Sequence, residues 1–267
     1  MKRTYWTRCL GCLATGILCL ATAPSSFAND RDWKLSTSLN YESGKFGTDT
    51  RSDSIYIPFT LKRYLDDWDA SLTVPYVSES SNGQVTNVGG RPVRIRGGAG
   101  STVTTTHSGL GDLVARGGYA LMKEDPQPFD LYLGAKVKLP TAARSKGLGT
   151  GEFDEGLGLE FGKRVIPEWT VLADLYFTFI GDPPGTDLNN QVAADIGFSH
   201  PVGKDLTAMV FLEGSNALVS GQPAPLDLRG TLDYKLGEQG SAFVGGLVGL
   251  SDGSPDYGLS LGGSFRF

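Results

Sequence analysis

The chain has 267 residues, a formal net charge of −5 and 20% charged residues. Because an excess of acidic residues disfavours binding to a phosphate backbone, we expect no nucleic-acid partner. All three cysteines lie in the first 19 residues, so the rest of the chain, with two histidines, offers few ligands for a transition metal. We therefore expect no metal site and no cofactor.

The N-terminus has the pattern of a cleaved signal peptide. Basic residues at positions 2, 3 and 8 precede an apolar run from Cys9 to Ala23, and Ser26 and Ala28 supply the small residues of a cleavage site. We predict a signal peptide over residues 1–28 and one domain over residues 29–267. A retained membrane helix is the alternative, but such a helix needs about 20 apolar residues, and this run is shorter and contains two glycines.

Further along the chain, runs of about ten residues alternate apolar and polar side chains, which is the pattern of a strand with one apolar face. The clearest run is Phe129 to Leu139, where six apolar residues alternate with a set that includes Lys136 and Lys138. Twelve strands are predicted, over residues 33–42, 54–63, 68 to about 76, 109–123, 129–139, 152–164, 169–180, 188–199, 205–215, 226–236, 241–250 and 257–267. The pattern does not fix which face of the eleventh strand is apolar.

The longest connection between predicted strands is the segment from Glu79 to Ser108. Its length exceeds that of a hairpin turn, and it is rich in Gly, Ser, Thr and Asn, so we predict a large surface loop. Arg91, Arg94 and Arg96 alternate on it. Two interpretations stay open: these arginines form a solvated face, or they pair with lipopolysaccharide phosphates.

The connections alternate between short and long, as in outer-membrane barrels. Trp33, Trp68 and Trp169 each begin an odd-numbered strand, so they would share one rim as an aromatic girdle. We predict an all-β fold, a transmembrane antiparallel up-and-down β-barrel of about 12 strands in the outer membrane of a Gram-negative cell, with both termini periplasmic. A soluble β-sandwich or lipocalin-like barrel is the alternative, but its core would carry many charges.

The polar face of the strands is expected to line the barrel interior, because a Lys or Arg facing the middle of the hydrocarbon costs about 2–4 kcal/mol. The charges either pair into a network that fills the barrel or line a wet pore, and both interpretations stay open. Met209 and Phe211 share the inward phase and predict an apolar patch for apolar or aromatic solutes. The lumen-lining candidates are Arg116, Lys136, Lys138, Asp154, Glu160, Asp174, Asp195, Met209, Phe211 and Arg229.

Two prolines, Pro58 and Pro75, also have the inward phase on adjacent strands. A closed barrel has no edge where a proline can avoid pairing, so each predicts a bulge or a kink.

A catalytic site is not indicated. His107 and His200 have no acid at a spacing that would orient them in a triad, and nucleophilic catalysis needs the base within reach of its nucleophile. The glycine-rich segment 147–151 lacks the lysine of a phosphate-binding loop and precedes a strand instead of a helix. We therefore expect no catalytic residues.

Three motifs in the middle of the chain resemble those of a known family. They are Ser108-Gly109-Leu110-Gly111-Asp112, Lys138-Leu139-Pro140-Thr141, and Leu148-Gly149-Thr150-Gly151 followed by Phe153-Asp154. They look like the motifs of the outer-membrane family described as "putative MetA-pathway of phenol degradation", a group of transporter-like β-barrels. The resemblance implies an outer-membrane protein that handles small aromatic or hydrophobic compounds. Ala142-Ala143 departs from the glycine and polar residue usual in the family, so this loop is expected to differ.

The strand alternation continues to the terminal Phe267, which resembles the C-terminal aromatic signal recognised by the outer-membrane assembly machinery. The expected partners are thus that machinery, outer-membrane lipid with lipopolysaccharide, and a small-molecule solute of unknown identity. The function favoured is a porin-like channel or facilitator for passive transport of small molecules, including aromatic compound uptake, and not an enzyme. The alternatives are a membrane-embedded hydrolase or lipid-modifying enzyme, and a structural barrel with a blocked lumen.

Overall fold

A computed structural model describes residues 32–95 and 103–267, so the predicted signal peptide and Arg96 lie outside the described residues. No helix in these two ranges has the length and apolar character needed to span a membrane. The strands are β1 (Trp33–Gly44), β2 (Ser52–Tyr64), β3 (Trp68–Ser81), β4 (Val85–Val88), β5 (Arg91–Arg94), β6 (Thr105–Leu110), β7 (Leu113–Met122), β8 (Asp130–Leu139), β9 (Asp154–Ile166), β10 (Trp169–Ile180), β11 (Gln191–Pro201), β12 (Leu206–Ser215), β13 (Leu226–Leu236), β14 (Gly240–Gly249) and β15 (Tyr257–Arg266). One 3-10 turn, Arg144–Lys146, lies between β8 and β9.

The strands close into a twelve-stranded antiparallel barrel. Each wall strand pairs with its neighbours in the chain, β6 and β7 together serve as one wall strand against β3, and β15 pairs with β1. The prediction of a 12-stranded up-and-down barrel is therefore confirmed. The undetermined face of the eleventh predicted strand is also resolved, because Phe243 and Leu247 on β14 are buried whereas Val244 and Val248 are exposed.

The two faces of the wall differ in chemistry. The outer face is apolar: on β15, for example, Leu259 and Leu261 are 61% and 60% exposed, whereas Ser260 between them is buried. Since water disfavours a continuous apolar surface of this extent, the outer face suits the hydrocarbon of a bilayer. The inner face carries the polar and charged residues of the same strands.

The end of the barrel that carries the chain termini has an aromatic rim. Trp33, Trp68 and Trp169 are exposed at the first positions of β1, β3 and β10, which run in the same direction. Phe267 lies beside Trp33, and the two residues exchange backbone N–H···O bonds of 3.0 and 2.9 Å. The guanidinium of Arg63 lies 5.0 Å from the Trp33 ring.

The two inward prolines face each other across β2 and β3. Pro58 pairs with Pro75 without a register shift between these strands, so the expected bulge is not there. It lies on the neighbouring strand, because Tyr76 pairs with Leu110 but Thr73 pairs with Val114, which leaves one extra residue between β6 and β7. A Cβ at Gly111 in this bulge would lie 3.0 Å from Pro75 Cγ, which explains the glycine.

The prediction of a surface loop over residues 79–108 is wrong for its central part. β4 and β5 pair as a hairpin through a two-residue turn, Gly89-Gly90, in which both φ angles are positive. All four residues of β4 are buried. Val88 belongs to an apolar cluster with Ile180 of the barrel wall and Leu218 of a long connection, so the hairpin folds into the long-loop end of the barrel.

Candidate transport site

Arg91 of the hairpin is bound to the barrel wall. Its Nη2 atom lies 2.9 Å from Glu213 Oε2 on β12 and 2.8 Å from Asp227 Oδ2 on β13. Burial alone would lower the pKa of the Arg91 guanidinium, but the carboxylates of Glu213 and Asp227 raise it above its ordinary value. Arg91 therefore stays charged, and the expectation of a solvated or lipopolysaccharide-facing Arg91 is wrong.

A second arginine, Arg229, binds one of these two carboxylates. Arg229 on β13 donates from Nε to Glu213 Oε1 at 2.9 Å, and its Nη2 lies 3.7 Å from Glu42 Oε1 on β1. Glu213 is thus shared between Arg91 of the hairpin and Arg229 of the wall. This shared carboxylate joins the hairpin to a buried ion network on three wall strands.

Five carboxylates form a row across five consecutive strands, which we call the acidic arc. Each member pairs directly with the next in the strand register, and all five are buried. The members are Glu160, Asp174, Asp195, Glu213 and Asp227. Because like charges at directly opposed positions repel, the arc requires cations nearby, and Arg91 and Arg229 supply two of them.

The opposite charge gathers on β7 and β8, in what we call the basic strip: Arg116, Lys136 and Lys138. Arg116 pairs directly with Lys136 across the two strands, and Lys138 follows two residues later on the same face. The acidic arc spans β9 to β13 and the basic strip lies on β7 and β8. Because β8 pairs with β9, the basic strip and the acidic arc lie side by side on the inner face of the wall.

The three family-like motifs meet around Lys138. Its Nζ lies 2.7 Å from Asp154 Oδ2 and 3.5 Å from Asp112 Oδ2, and it donates to Thr150 Oγ1 at 2.8 Å. The Asp112 carboxylate also accepts a hydrogen bond from the Ala142 backbone N–H at 2.9 Å. The motifs therefore form one buried cluster that fixes the connection between β8 and β9 against the wall.

Two tyrosines lie flat against the wall because glycines leave room for their rings. A Cβ at Gly158 would collide with the Tyr176 ring, and one at Gly118 would collide with the Tyr132 ring. The Tyr176 hydroxyl donates to the Glu160 carboxylate, and the Tyr132 hydroxyl donates to the Asp69 carboxylate. The rings thus occupy little of the interior cross-section, and each hydroxyl has an acceptor.

An apolar patch lies between these polar groups and the terminal end of the barrel. Leu172, Met209 and Phe211 are buried and pack together. A Cβ at Gly197, which pairs with Phe211, would collide with the Phe211 ring, so glycine again lets an aromatic ring lie close to the wall.

A cavity lies between the hairpin and the wall. It contains about 1090 Å³ of space not filled by atoms, including its open mouth. The hairpin contributes Val88, Pro92 and Val93 to its lining, together with Arg91 and Arg94. The wall contributes Arg116, Lys136, Lys138, Asp154, Ile180 and Ala193. The cavity therefore combines an apolar surface with the basic strip.

The structure distributes the ten lumen candidates between two places. Four line the cavity: Arg116, Lys136, Lys138 and Asp154. Six are buried elsewhere inside the barrel: Glu160, Asp174, Asp195, Met209, Phe211 and Arg229. That these ten line a path for solute stays a prediction, as does the role of Phe267 in assembly. Arg91 and Tyr176 were missed as interior groups, and Tyr132, although on the polar face of its strand, was not among the lumen candidates.

The missed residues had different sequence signals. Gly89-Gly90 between short alternating runs is a hairpin signal that identifies β4 and β5, although it does not place the hairpin inside the barrel. Tyr132 and Tyr176 have the inward phase of their strands, but the sequence does not reveal which glycine on a neighbouring strand accepts each ring.

The histidines lie apart from each other. His200 stacks on the Trp169 ring at 4.5 Å between centroids, and its Nδ1 lies 3.2 Å from the Glu168 carbonyl oxygen. His107 is exposed on β6, where it pairs with Glu79 in the strand register. Among the described residues, no three His, Cys, Asp or Glu side chains are grouped so as to hold a metal ion.

The closed barrel, its apolar outer face and its charged interior define the fold class of outer-membrane channels. The chain belongs to the family described as "Putative MetA-pathway of phenol degradation", whose model matches residues 55–267. This confirms the resemblance drawn from the three motifs. A comparison with curated proteins finds no match.

Solved structures share the fold. An outer membrane channel from Pseudomonas putida F1 matches with a TM-score of 0.68 at 14% identity, over 91% of this chain and 100% of that chain. The NanC porin matches with a TM-score of 0.54 at 11% identity, over 87% of this chain and 100% of the porin. The KdgM porin matches with a TM-score of 0.52 at 11% identity, over 88% of this chain and 99% of the porin.

Proposed function

We propose that this protein is a passive outer-membrane channel or facilitator for small molecules and performs no catalytic step. The observation that carries the proposal is the cavity between the hairpin and the wall, whose lining includes the charged side chains of the basic strip beside its apolar residues. A purely structural barrel has no need to keep such a space beside charged side chains. The fold shared with channels and porins supports the same conclusion.

Conductance of the purified protein in planar bilayers tests this proposal. Reproducible single-channel openings above the bare-bilayer current are the expected result. A barrel that inserts, as judged by its heat-sensitive gel mobility, yet never conducts and passes no solute into liposomes would refute it. That outcome would support the structural barrel with a blocked lumen, which the Arg91 ion pairs specifically favour.

We further propose that both termini and the short turns face the periplasm, while the hairpin and the long connections face outward. The aromatic rim at the terminal end supports an interfacial position for that end. An epitope inserted within residues 216–225 should bind antibody on intact cells, whereas one within residues 202–205 should bind only after permeabilisation. The reverse labelling pattern would invert the orientation.

Aromatic or hydrophobic compounds are the proposed solutes for the apolar patch. Met209 and Phe211 pack with Leu172 on the interior side of the wall, so an apolar solute could contact them during passage. Replacing both Met209 and Phe211 with serine should slow uptake of such solutes while changing chloride conductance little. Unchanged uptake in a liposome transport assay would remove the patch from the pathway.

The proposed partners follow from the two surfaces of the barrel. Outer-membrane lipid, with lipopolysaccharide in the outer leaflet, would surround the apolar outer face. The assembly machinery would bind the terminal strand, whose last residue, Phe267, is exposed beside Trp33. The hydrolase alternative would need a histidine beside a serine and an acid, whereas His200 contacts the Trp169 ring and the Glu168 carbonyl oxygen.

A further inference from the structure

The basic strip contains a cation that lacks a carboxylate partner of its own. Lys138 has Asp154 and Asp112 as partners, at 2.7 and 3.5 Å. Lys136 makes no hydrogen bond or ion pair with any residue in the ranges 32–95 and 103–267; its Nζ lies 5.7 Å from the centroid of the Tyr176 ring. Such a cation–π contact is weaker than a buried ion pair, so Lys136 can accept an anion from solution.

The wall around Lys136 presents this cation to the cavity. A Cβ at Gly156, which pairs with Lys136, would lie 2.6 Å from Lys136 Cε, so the glycine makes room for the lysine stem against β9. Arg116, directly opposite on β7, also lines the cavity and adds to the positive potential there. An anion in the cavity would therefore meet two neighbouring cations.

The apolar lining of the cavity indicates the second chemical feature of the ligand. Val88, Pro92 and Val93 of the hairpin and Val114, Ile180 and Ala193 of the wall supply this apolar lining. An apolar surface with one cationic wall suits a ligand that has an anionic group at one end and a compact apolar body. Glu42 and Asp227 also line the cavity, where Arg91 pairs with Asp227, and these carboxylates disfavour binding of the anionic group beside them.

We propose that the cavity binds small organic anions in which a carboxylate is attached to a compact apolar body. The carboxylate lies at Lys136, and the apolar body lies between the hairpin and the wall. This proposal rests on the proposed channel function, because it names the solute class that the same interior selects.

Equilibrium binding by calorimetry, with the purified full barrel in detergent, tests the site with three probes. Benzoate has both features, benzyl alcohol lacks the charge, and acetate lacks the apolar body. Benzoate is expected to bind at least about tenfold more tightly than either. Benzyl alcohol lacks the hydrogen bond between a carboxylate and the lysine, which supplies a factor of roughly ten to a hundred, and acetate lacks the apolar body whose burial stabilises the complex. Equal binding of benzoate and benzyl alcohol would overturn the proposal.

Substitutions of Lys136 and of a control lysine test where benzoate binds. Lys136→Gln keeps much of the side-chain length and should weaken benzoate binding by about ten- to a hundredfold, whereas Lys136→Arg should retain it. Lys235→Gln is the matched control, because Lys235 is also on a wall strand but is not part of the cavity lining. Heat-sensitive gel mobility checks that each variant folds. Benzoate affinity that is unchanged in folded Lys136→Gln would refute the proposal, and if that variant does not fold, the three probes on the unmodified protein decide.

Different experimental results would refute the proposed channel function and the proposed solute class. Conductance without any preference for benzoate would leave the channel standing and refute the solute class. Benzoate binding that depends on Lys136, without any conductance or flux, would keep the binding site and refute the channel.

Discussion

Arg91 holds the hairpin against the barrel wall through two ion pairs, so Arg91→Ala should allow the hairpin to move away from the wall. The substitution removes hydrogen bonds of 2.9 Å to Glu213 and 2.8 Å to Asp227. The Glu213 and Asp227 side chains are only 7% and 1% exposed. Glu213 keeps Arg229 as a partner, but in the described part of the chain Asp227 has no ion pair other than the one with Arg91.

Removal of one partner from a buried ion pair costs about 3–5 kcal/mol, because the remaining charge is left uncompensated. If water reaches the unpaired Asp227 when the hairpin moves away, the substitution destabilises only the state in which the hairpin is docked. A change of about 3–5 kcal/mol shifts the ratio of displaced to docked hairpin by roughly two to three and a half orders of magnitude, at 1.4 kcal/mol per factor of ten. The apolar contacts of Val88 remain and oppose this shift.

The expected result is a higher open probability in planar bilayers for Arg91→Ala. Trypsin should also cleave faster after Arg94, which stays in the variant and becomes accessible when the hairpin leaves the barrel. Arg51→Ala is the matched control: Arg51 pairs with Asp256 at 2.6 Å, but the two side chains are 46% and 44% exposed, so its loss should cost at most about 1 kcal/mol. Open probability and cleavage rate both equal to those of the unmodified protein would refute the role of Arg91 as a latch.

Three further changes test the wall itself. Lys138→Met leaves Asp154 buried without its cation and should lower the free energy of unfolding in guanidinium by about 3–5 kcal/mol; an unchanged value would contradict the central role of Lys138 in the motif cluster. Gly158→Ala places a Cβ against the Tyr176 ring and should cost about 1–3 kcal/mol, measured by the temperature at which the barrel loses its folded gel mobility. Phe267→Asp should reduce outer-membrane levels of the protein more than it alters conductance, and normal levels would count against an assembly signal.

The wall strands could be predicted from the sequence because each strand carries its own signal. Alternation between an apolar and a polar face is a local property, so the pattern from Phe129 to Leu139 identifies β8 without knowledge of its neighbours. The same alternation identifies the other wall strands, twelve in all. The short and long connections between them predict that consecutive strands are neighbours in a closed barrel. Alternation does not determine where a strand ends, and β3 extends to Ser81, beyond the predicted segment.

The sequence predicts which residues of each strand face the interior, but it does not predict which of them contact each other, because these contacts join residues far apart in the chain. Alternation distinguishes the two faces of β12 and β13, but it does not reveal that Glu213 and Asp227 bind Arg91, which comes from a hairpin that follows a different wall strand. The same limit applies to the prolines: Pro75 signalled a bulge, whereas the extra residue lies on the neighbouring strand beside Gly111. Pairings of this kind depend on barrel register, which no single segment encodes.

The residues that identify the family and those proposed to contact the solute occupy different parts of the interior. The motif residues Asp112, Thr150 and Asp154 bind Lys138 and hold a connection against the wall, which is a structural task. Lys136, only two residues from Lys138, makes no such contact within the described ranges and faces the cavity, and the hairpin that closes the cavity lies outside the motifs. A relative that keeps the motif cluster but replaces Lys136 should therefore fold as the same barrel and bind benzoate poorly. Introducing lysine at that position in such a relative should restore benzoate binding, provided that its hairpin supplies a similar apolar surface.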